Sequence, residues 1–145
     1  MGQVTATAEK TFAASPDQVF TALGDYDGAR RKILTEHFSE YEVREGGQDE
    51  GTVVHWKLAA TSKRVRDCLV SVSVPGERTL VERDANSSLV TTWTVAPEGS
   101  GARVKVESTW DGAGGVGGFF ERRFAPSGLR RIYEGQLAKL ETELA

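Results

Sequence analysis

The sequence has very little cysteine. Cys68 is the only one in 145 residues, which excludes an internal disulfide and a thiolate metal cluster and fits a reducing compartment. The two histidines, His37 and His55, form no metal-binding constellation with nearby carboxylates. We therefore expect no metal, and neither histidine is a strong catalytic candidate.

Long apolar runs are also missing. No stretch approaches the roughly 20 residues of a membrane span, and the opening MGQVTATAEK lacks the apolar core of a secretory signal. The 18 basic and 21 acidic residues leave a net charge of −3, without a basic cluster interleaved with aromatics. We expect a cytoplasmic protein with no nucleic-acid partner and no stable membrane insertion. Its length predicts a single domain over residues 1–145, and its oligomeric state stays open.

What the sequence does contain is a run of strands between two short helices and a long one. An opening strand leads to Ser15-Pro16, which predicts a capped helix that ends at Gly24. Asp27 is the expected cap of a second helix, which extends to about Glu36. Five to six segments of alternating polarity follow, joined by turns, and predict an antiparallel meander with one apolar face.

The C-terminal segment predicts the element that covers this face. Apolar residues recur there at steps of three and four, as expected for one face of a helix: Leu129, Ile132, Tyr133, Leu137, Leu140 and Leu144. Pro126 and Gly128 disfavour a helix interior, so the helix either begins near Pro126 or is kinked there.

Five segments in this order resemble the START-like superfamily, the polyketide cyclase/dehydrase and lipid-transport group (SRPBCC). They are ASPDQVFTALGDYD at 14–27, EGTVVHWKL at 50–58, VPGERTL at 74–80, VAPEGSGARVKVES at 95–108 and LAKLETEL at 137–144. The resemblance implies an α+β helix-grip fold: a curved antiparallel sheet of six to seven strands wrapped around the long C-terminal helix, with two short helices after strand 1. It also implies an internal cavity that binds a small hydrophobic or amphipathic ligand.

The expected lining of that cavity is aromatic. Trp56, Trp93 and Trp110 fall on strand faces that can point inward, and Tyr133 lies on the inward stripe of the helix. Phe119, Phe120 and Phe124 open the C-terminal segment. The alternative for all of them is that they fill a core without contacting a ligand.

Whether the protein only binds a ligand or also catalyses a reaction depends on polar side chains on two strands. The strand predicted over residues 63–74 has two about equally apolar faces, so the side chains of Asp67 and Leu69 could point into the cavity or away from it. The same two directions are open to Leu80 and Glu82 on the next strand. A buried carboxylate beside Arg64 or Arg66 would be a structural ion pair, a ligand anchor or a general base. We assign no catalytic residue.

The glycine-rich run Gly112–Gly117 matches G-x-G-x-x-G after a strand. A dinucleotide site requires a further parallel strand after the next helix, and only 28 residues follow Gly117. We therefore expect no cofactor and interpret Gly112–Gly118 as a hinge or as a gate to the cavity. The leading hypothesis is a binding protein for a lipid or polyketide-like molecule. The alternatives are a cyclase/dehydratase that uses a cavity carboxylate or Tyr133 for acid–base steps, and an interaction module with a filled core.

Overall fold

The computed structural model describes residues 3–61, 64–111 and 126–145. In these ranges the chain forms seven strands and three helices. They are β1 (Gln3–Phe12), α1 (Pro16–Leu23), α2 (Ala29–Lys32), β2 (Phe38–Glu45), β3 (Val53–Thr61), β4 (Arg64–Gly76), β5 (Thr79–Asp84), β6 (Val90–Glu98), β7 (Gly101–Asp111) and α3 (Pro126–Glu143).

The strands form one antiparallel sheet in the order β1-β7-β6-β5-β4-β3-β2. Strands β2 to β7 form a meander of hairpins. Strand β1 is the edge strand next to β7 and pairs with it along its whole length. With α3 packed against this sheet, the architecture confirms the predicted α+β helix-grip fold with seven strands.

The alternation in β7 places its inner face as predicted. Val104, Val106, Ser108 and Trp110 are all buried, whereas Arg103 and Lys105 on the opposite face are exposed. The apolar stripe of α3 is buried against the sheet from Leu129 to Leu140. The core therefore lies between the concave side of the sheet and α3.

The two short helices differ from each other in how well the sequence predicted them. Ser15 caps α1 as expected, because its Oγ accepts a hydrogen bond from the Gln18 amide at 3.2 Å and the Gln18 side chain accepts one in return from the Ser15 amide. The prediction for α2 is wrong in cap and length. Asp25 rather than Asp27 accepts from the Gly28 amide, at 3.0 Å, and α2 ends at Lys32.

The structure decides the direction of the two ambiguous strands. Trp56 of β3 pairs with Cys68 of β4, so Cys68 continues the inner face and its neighbours on either side point outward. Asp67 is exposed, Leu69 is half-buried, and Val65 on the same face is 54% exposed. The expectation that Asp67 and Leu69 line the cavity is therefore wrong. In β5, Leu80 and Glu82 are both buried.

Several predictions concern residues outside the described ranges. The Gly112–Gly118 gate and the lining by Phe119, Phe120 and Phe124 fall there and stay predictions. The described part of the closing helix begins at Pro126. Among the helices in residues 3–61, 64–111 and 126–145, none is long and apolar enough to cross a membrane.

Candidate functional site

A cavity lies between the sheet, α2 and α3. Most of its lining residues are apolar or aromatic, and a few are polar. The lining consists of Arg30, Leu34, Phe38, Trp56, Leu58, Glu82, Leu89, Thr91, Trp93, Tyr133 and Gln136. Its volume, counted as the space in which the centre of a water molecule can move, is about 20 Å³. Leu34 and Phe38 are half-buried, so the rim lies where α2 leads into β2. A ligand larger than water requires lining side chains to move.

The Glu82 carboxylate is the negatively charged group in the lining of this cavity. It accepts hydrogen bonds from the Tyr26 hydroxyl at 2.5 Å and from Trp93 Nε1 at 3.0 Å. Its Oε2 also lies 2.9 Å from Arg30 Nη1 in an ion pair whose side chains are only 3% and 5% exposed. Three donors from two parts of the chain therefore hold one buried carboxylate, and they make the burial of its charge tolerable.

Local structure delivers Arg30 to this position. The Asp25 carboxylate holds the first turn of α2, and Tyr26 and Arg30 are four residues apart in that segment. Arg30 Nη1 also donates to the Leu23 carbonyl at 3.1 Å and to the Tyr26 hydroxyl at 3.2 Å. The guanidinium lies 4.8 Å from the Tyr26 ring centroid and 4.9 Å from that of Trp93. Arg30 is thus clamped between two aromatic faces.

The protonation states in this network follow from burial and charge. Burial lowers the pKa of Arg30 and the Glu82 carboxylate raises it, with a net direction upward. Burial, together with the Glu82 charge, raises the pKa of Tyr26 well above its ordinary value. Arg30 is therefore positively charged and Tyr26 is a neutral hydroxyl that donates to Glu82.

A second polar group consists of three hydroxyls. The Tyr133 hydroxyl bonds to Ser108 Oγ and lies 3.3 Å from Thr91 Oγ1, and Thr91 and Ser108 are 2.6 Å apart. Burial raises the pKa of Tyr133 to about 12, against the hydrogen bonds from Ser108 and Thr91. Tyr133 therefore keeps its proton at neutral pH, and the three hydroxyls satisfy one another.

The cavity brings together some of the predicted site residues. Trp56, Glu82, Trp93 and Tyr133 line it. Leu80 and Trp110 are buried in the core but are not among the described residues that line the cavity.

Asp67 belongs to a separate cluster on the outer face of the sheet. His55 Nε2 lies 2.6 Å from Asp67 Oδ1, and His55 Nδ1 lies 3.0 Å from the Glu40 carbonyl. The hydrogen bond from His55 lowers the pKa of Asp67. His55 faces outward as predicted but is covered by these neighbours, and the pair has no part in the cavity.

The sequence analysis missed seven of the lining residues, among them the polar residues Gln136 and Arg30. Gln136 follows Tyr133 by three residues on the inward stripe of α3, so its polar side chain at a buried helical position was a usable signal. Arg30 carried no such signal, because it is one of three adjacent basic residues with Arg31 and Lys32. In the ranges that the structure covers, no three His, Cys, Asp or Glu side chains are grouped to hold a metal ion.

Comparisons with known proteins agree with this architecture. A family model described as polyketide cyclase/dehydrase and lipid transport matches residues 3–145. The chain is similar to the solution structure of the KanY protein, with 53% identity, a TM-score of 0.89 and coverage of 99% of this chain and 98% of that one. No curated protein sequence matches the chain.

Two more distant structures show the same fold. The protein TTHA0849 from Thermus thermophilus is 21% identical, with a TM-score of 0.75 and coverage of 96% of this chain and 95% of that one. The di-domain ARO/CYC BexL from the BE-7585A biosynthetic pathway is 17% identical, with a TM-score of 0.72. It is matched over 97% of this chain and 49% of its own.

The buried ion pair leads to a first prediction. Arg30→Met leaves the Glu82 charge buried without its cation, and we expect it to lower the free energy of unfolding by about 3–5 kcal/mol. Adding Glu82→Gln removes that charge, so the double variant should be more stable than Arg30→Met alone. Urea denaturation measures both. Arg130→Met, which breaks the exposed Arg130–Glu134 pair, is the control and should cost less than about 0.5 kcal/mol. Equal losses in Arg30→Met and Arg130→Met would contradict the prediction.

The tyrosines lead to a second prediction. Burial raises the pKa of Tyr26, and raises those of Tyr41 and Tyr133 to about 12, whereas an unfolded tyrosine titrates near about 10. Above pH of about 10 the unfolded chain loses protons that the folded chain keeps, so the free energy of unfolding should fall as pH rises and be unaffected below. Phenolate absorbance followed alongside near-UV circular dichroism tests this, with a urea-unfolded sample as reference. A phenolate that forms near the reference pH while the fold stays intact would refute it.

Proposed function

The chain belongs to the polyketide cyclase/dehydrase and lipid-transport family, and on that basis we propose that it binds a small hydrophobic or amphipathic molecule, lipid or polyketide-like, in the cavity between the sheet and α3. One observation carries the proposal: an otherwise apolar and aromatic cavity contains a buried ion pair and a buried amide. A core that served stability alone would gain from apolar side chains at these positions. The buried, unbridged Cys68 supports a cytoplasmic location for this role.

Aromatic side chains supply the apolar contact surface. Trp56 packs edge-on against Phe38, with ring centroids 5.9 Å apart, and is stacked on Tyr41 at 6.2 Å. Trp93 packs edge-on against Tyr133, with ring centroids 6.1 Å apart. We propose that these rings hold the ligand through apolar burial and that the polar groups set its orientation.

Acid–base catalysis on a bound ketone chain is the second candidate, and the hydroxyl cluster favours it. Tyr133 is a protonated donor fixed by Ser108 and Thr91 at the cavity wall. Such a hydroxyl can donate to a carbonyl oxygen on which negative charge develops when it exchanges its bond to Ser108 or Thr91 for one to the ligand. Glu82 is a weaker candidate for a base, because three hydrogen-bond donors already engage its oxygens. The proposed catalytic group is therefore Tyr133.

A substitution at the rim tests ligand binding. Leu34→Phe narrows the cavity where Leu34 is half-buried, and we expect it to weaken binding about tenfold or more, because the added volume must be accommodated. Fatty acids, sterols and flavonoid-type compounds are titrated while the fluorescence of Trp56 and Trp93 and the melting temperature are followed. The control is Val65→Phe, a comparable change at an exposed site on the outer face. The proposal fails if no compound class perturbs either readout in the wild type.

A tyrosine substitution tests catalysis separately. If Tyr133 donates a proton or a hydrogen bond to the reacting chain, Tyr133→Phe should reduce turnover of a bound poly-β-ketone by about 100-fold and leave its dissociation constant nearly unchanged. The matched control is Tyr41→Phe, which removes a hydroxyl that bonds only to the Tyr26 carbonyl among the described groups. A wild-type protein that binds such a chain without converting it would exclude the catalytic role.

A further inference from the structure

We infer that the cavity selects a neutral ligand that carries a carbonyl group and discriminates against a carboxylate of the same shape. The inference rests on the proposed binding function and adds the chemical class of the ligand. It depends on two features of the lining: its balance of charge and the polar atoms that no protein group satisfies.

The charges in the lining cancel. Arg30 and Glu82 are the charged residues among those that line the cavity, and they are already paired at 2.9 Å. A carboxylate ligand would therefore bring a second negative charge to a cation that Glu82 already occupies. Burying that charge without a new partner is costly. A neutral ligand adds no such cost.

Two polar groups in the lining have no hydrogen-bond partner among the described residues. Arg30 Nε is buried and donates no hydrogen bond to any described residue. The Gln136 side chain is 2% exposed, faces the cavity and makes no hydrogen bond in the part of the chain that the structure describes. Arg30 Nε–H is a donor, and the Gln136 amide offers both a donor and an acceptor. The atom that satisfies Arg30 Nε must be an acceptor.

The other polar groups of the lining do not call for a ligand. Thr91 and Tyr133 bond to each other and to Ser108, and Glu82 is engaged by three donors. The groups left to bind a ligand oxygen are therefore Arg30 Nε and the Gln136 amide. A carbonyl oxygen provides the acceptor without a charge, and a buried polar group that remains unpaired costs binding free energy.

Three small aromatic probes of nearly equal size test the selection. Benzylacetone has a neutral ketone, hydrocinnamate replaces its methyl group by a charged oxygen, and butylbenzene has no polar group. We expect benzylacetone to bind about tenfold or more tightly than each of the others at neutral pH. Heteronuclear NMR titration of the full chain gives the dissociation constants, and shifted resonances of Trp56 and Trp93 locate the site.

Each outcome bears on a separate claim. Hydrocinnamate that binds as tightly as benzylacetone overturns the selection and leaves the proposed ligand-binding function in place. Equal affinities for benzylacetone and butylbenzene also overturn it, because the carbonyl would then contribute nothing. If none of the three probes binds, and no fatty acid, sterol or flavonoid-type compound binds either, the proposed function itself fails.

A variant locates the selection at the amide. Gln136→Leu keeps approximately the same volume and removes the unpaired polar group, so we expect the preference for benzylacetone over butylbenzene to fall about fivefold or more while the melting temperature rises. Lys139→Leu, on the exposed side of α3, is the control and should leave the preference unchanged. A large drop in melting temperature for Gln136→Leu, or an unchanged preference, would overturn the assignment of the amide to the ligand.

Discussion

The rest of the site depends on the burial of the Glu82 carboxylate. An isolated charge in an apolar cavity would be expelled or neutralised, and here three donors compensate it: Tyr26, Arg30 and Trp93. Two of them come from the short helical segment after α1, and the third comes from the neighbouring strand. The carboxylate therefore ties that segment to the concave side of the sheet. Because the charge is compensated only when all three donors are in place, we expect this geometry to be specified more strictly than that of the apolar core around it.

The polar groups of the cavity fall into two chemically different sets. Glu82, Thr91 and Tyr133 are engaged in internal hydrogen bonds. Arg30 Nε and the Gln136 amide have no hydrogen-bond partner among the described residues. Fixed polar groups that do not satisfy one another are what orient a ligand in an otherwise apolar site. The pair of His55 and Asp67 on the outer face differs from these groups, because its members bond to each other and lie away from the cavity. A histidine beside a carboxylate is therefore no evidence of a functional site by itself.

The predictable parts of this molecule are those where two features of the sequence agree. In β7 the inner positions are apolar and the outer ones charged, so only one direction was possible for Val104 and Val106. In β4 both faces are about equally apolar, and the local pattern held no reason to choose Cys68 over Asp67 as the inward residue. The register with β3 made the choice, because Trp56 already pointed inward and pairs with Cys68. Asp67 was misassigned for that reason.

The order of elements, the antiparallel meander, the Ser15 cap and the buried stripe of α3 could all be derived from the amino-acid sequence, since each follows from periodicity and capping over a few residues. The sequence also pointed to Trp56, Trp93 and Tyr133, whose positions in strands and helix can face inward, and it named Glu82 as a candidate whose direction it left open. That Arg30 is the partner of Glu82, and that Gln136 faces the same cavity, became visible only in the folded chain. Those contacts join residues far apart in the chain, and a charge or amide read in isolation favours the solvent until the fold supplies its partner.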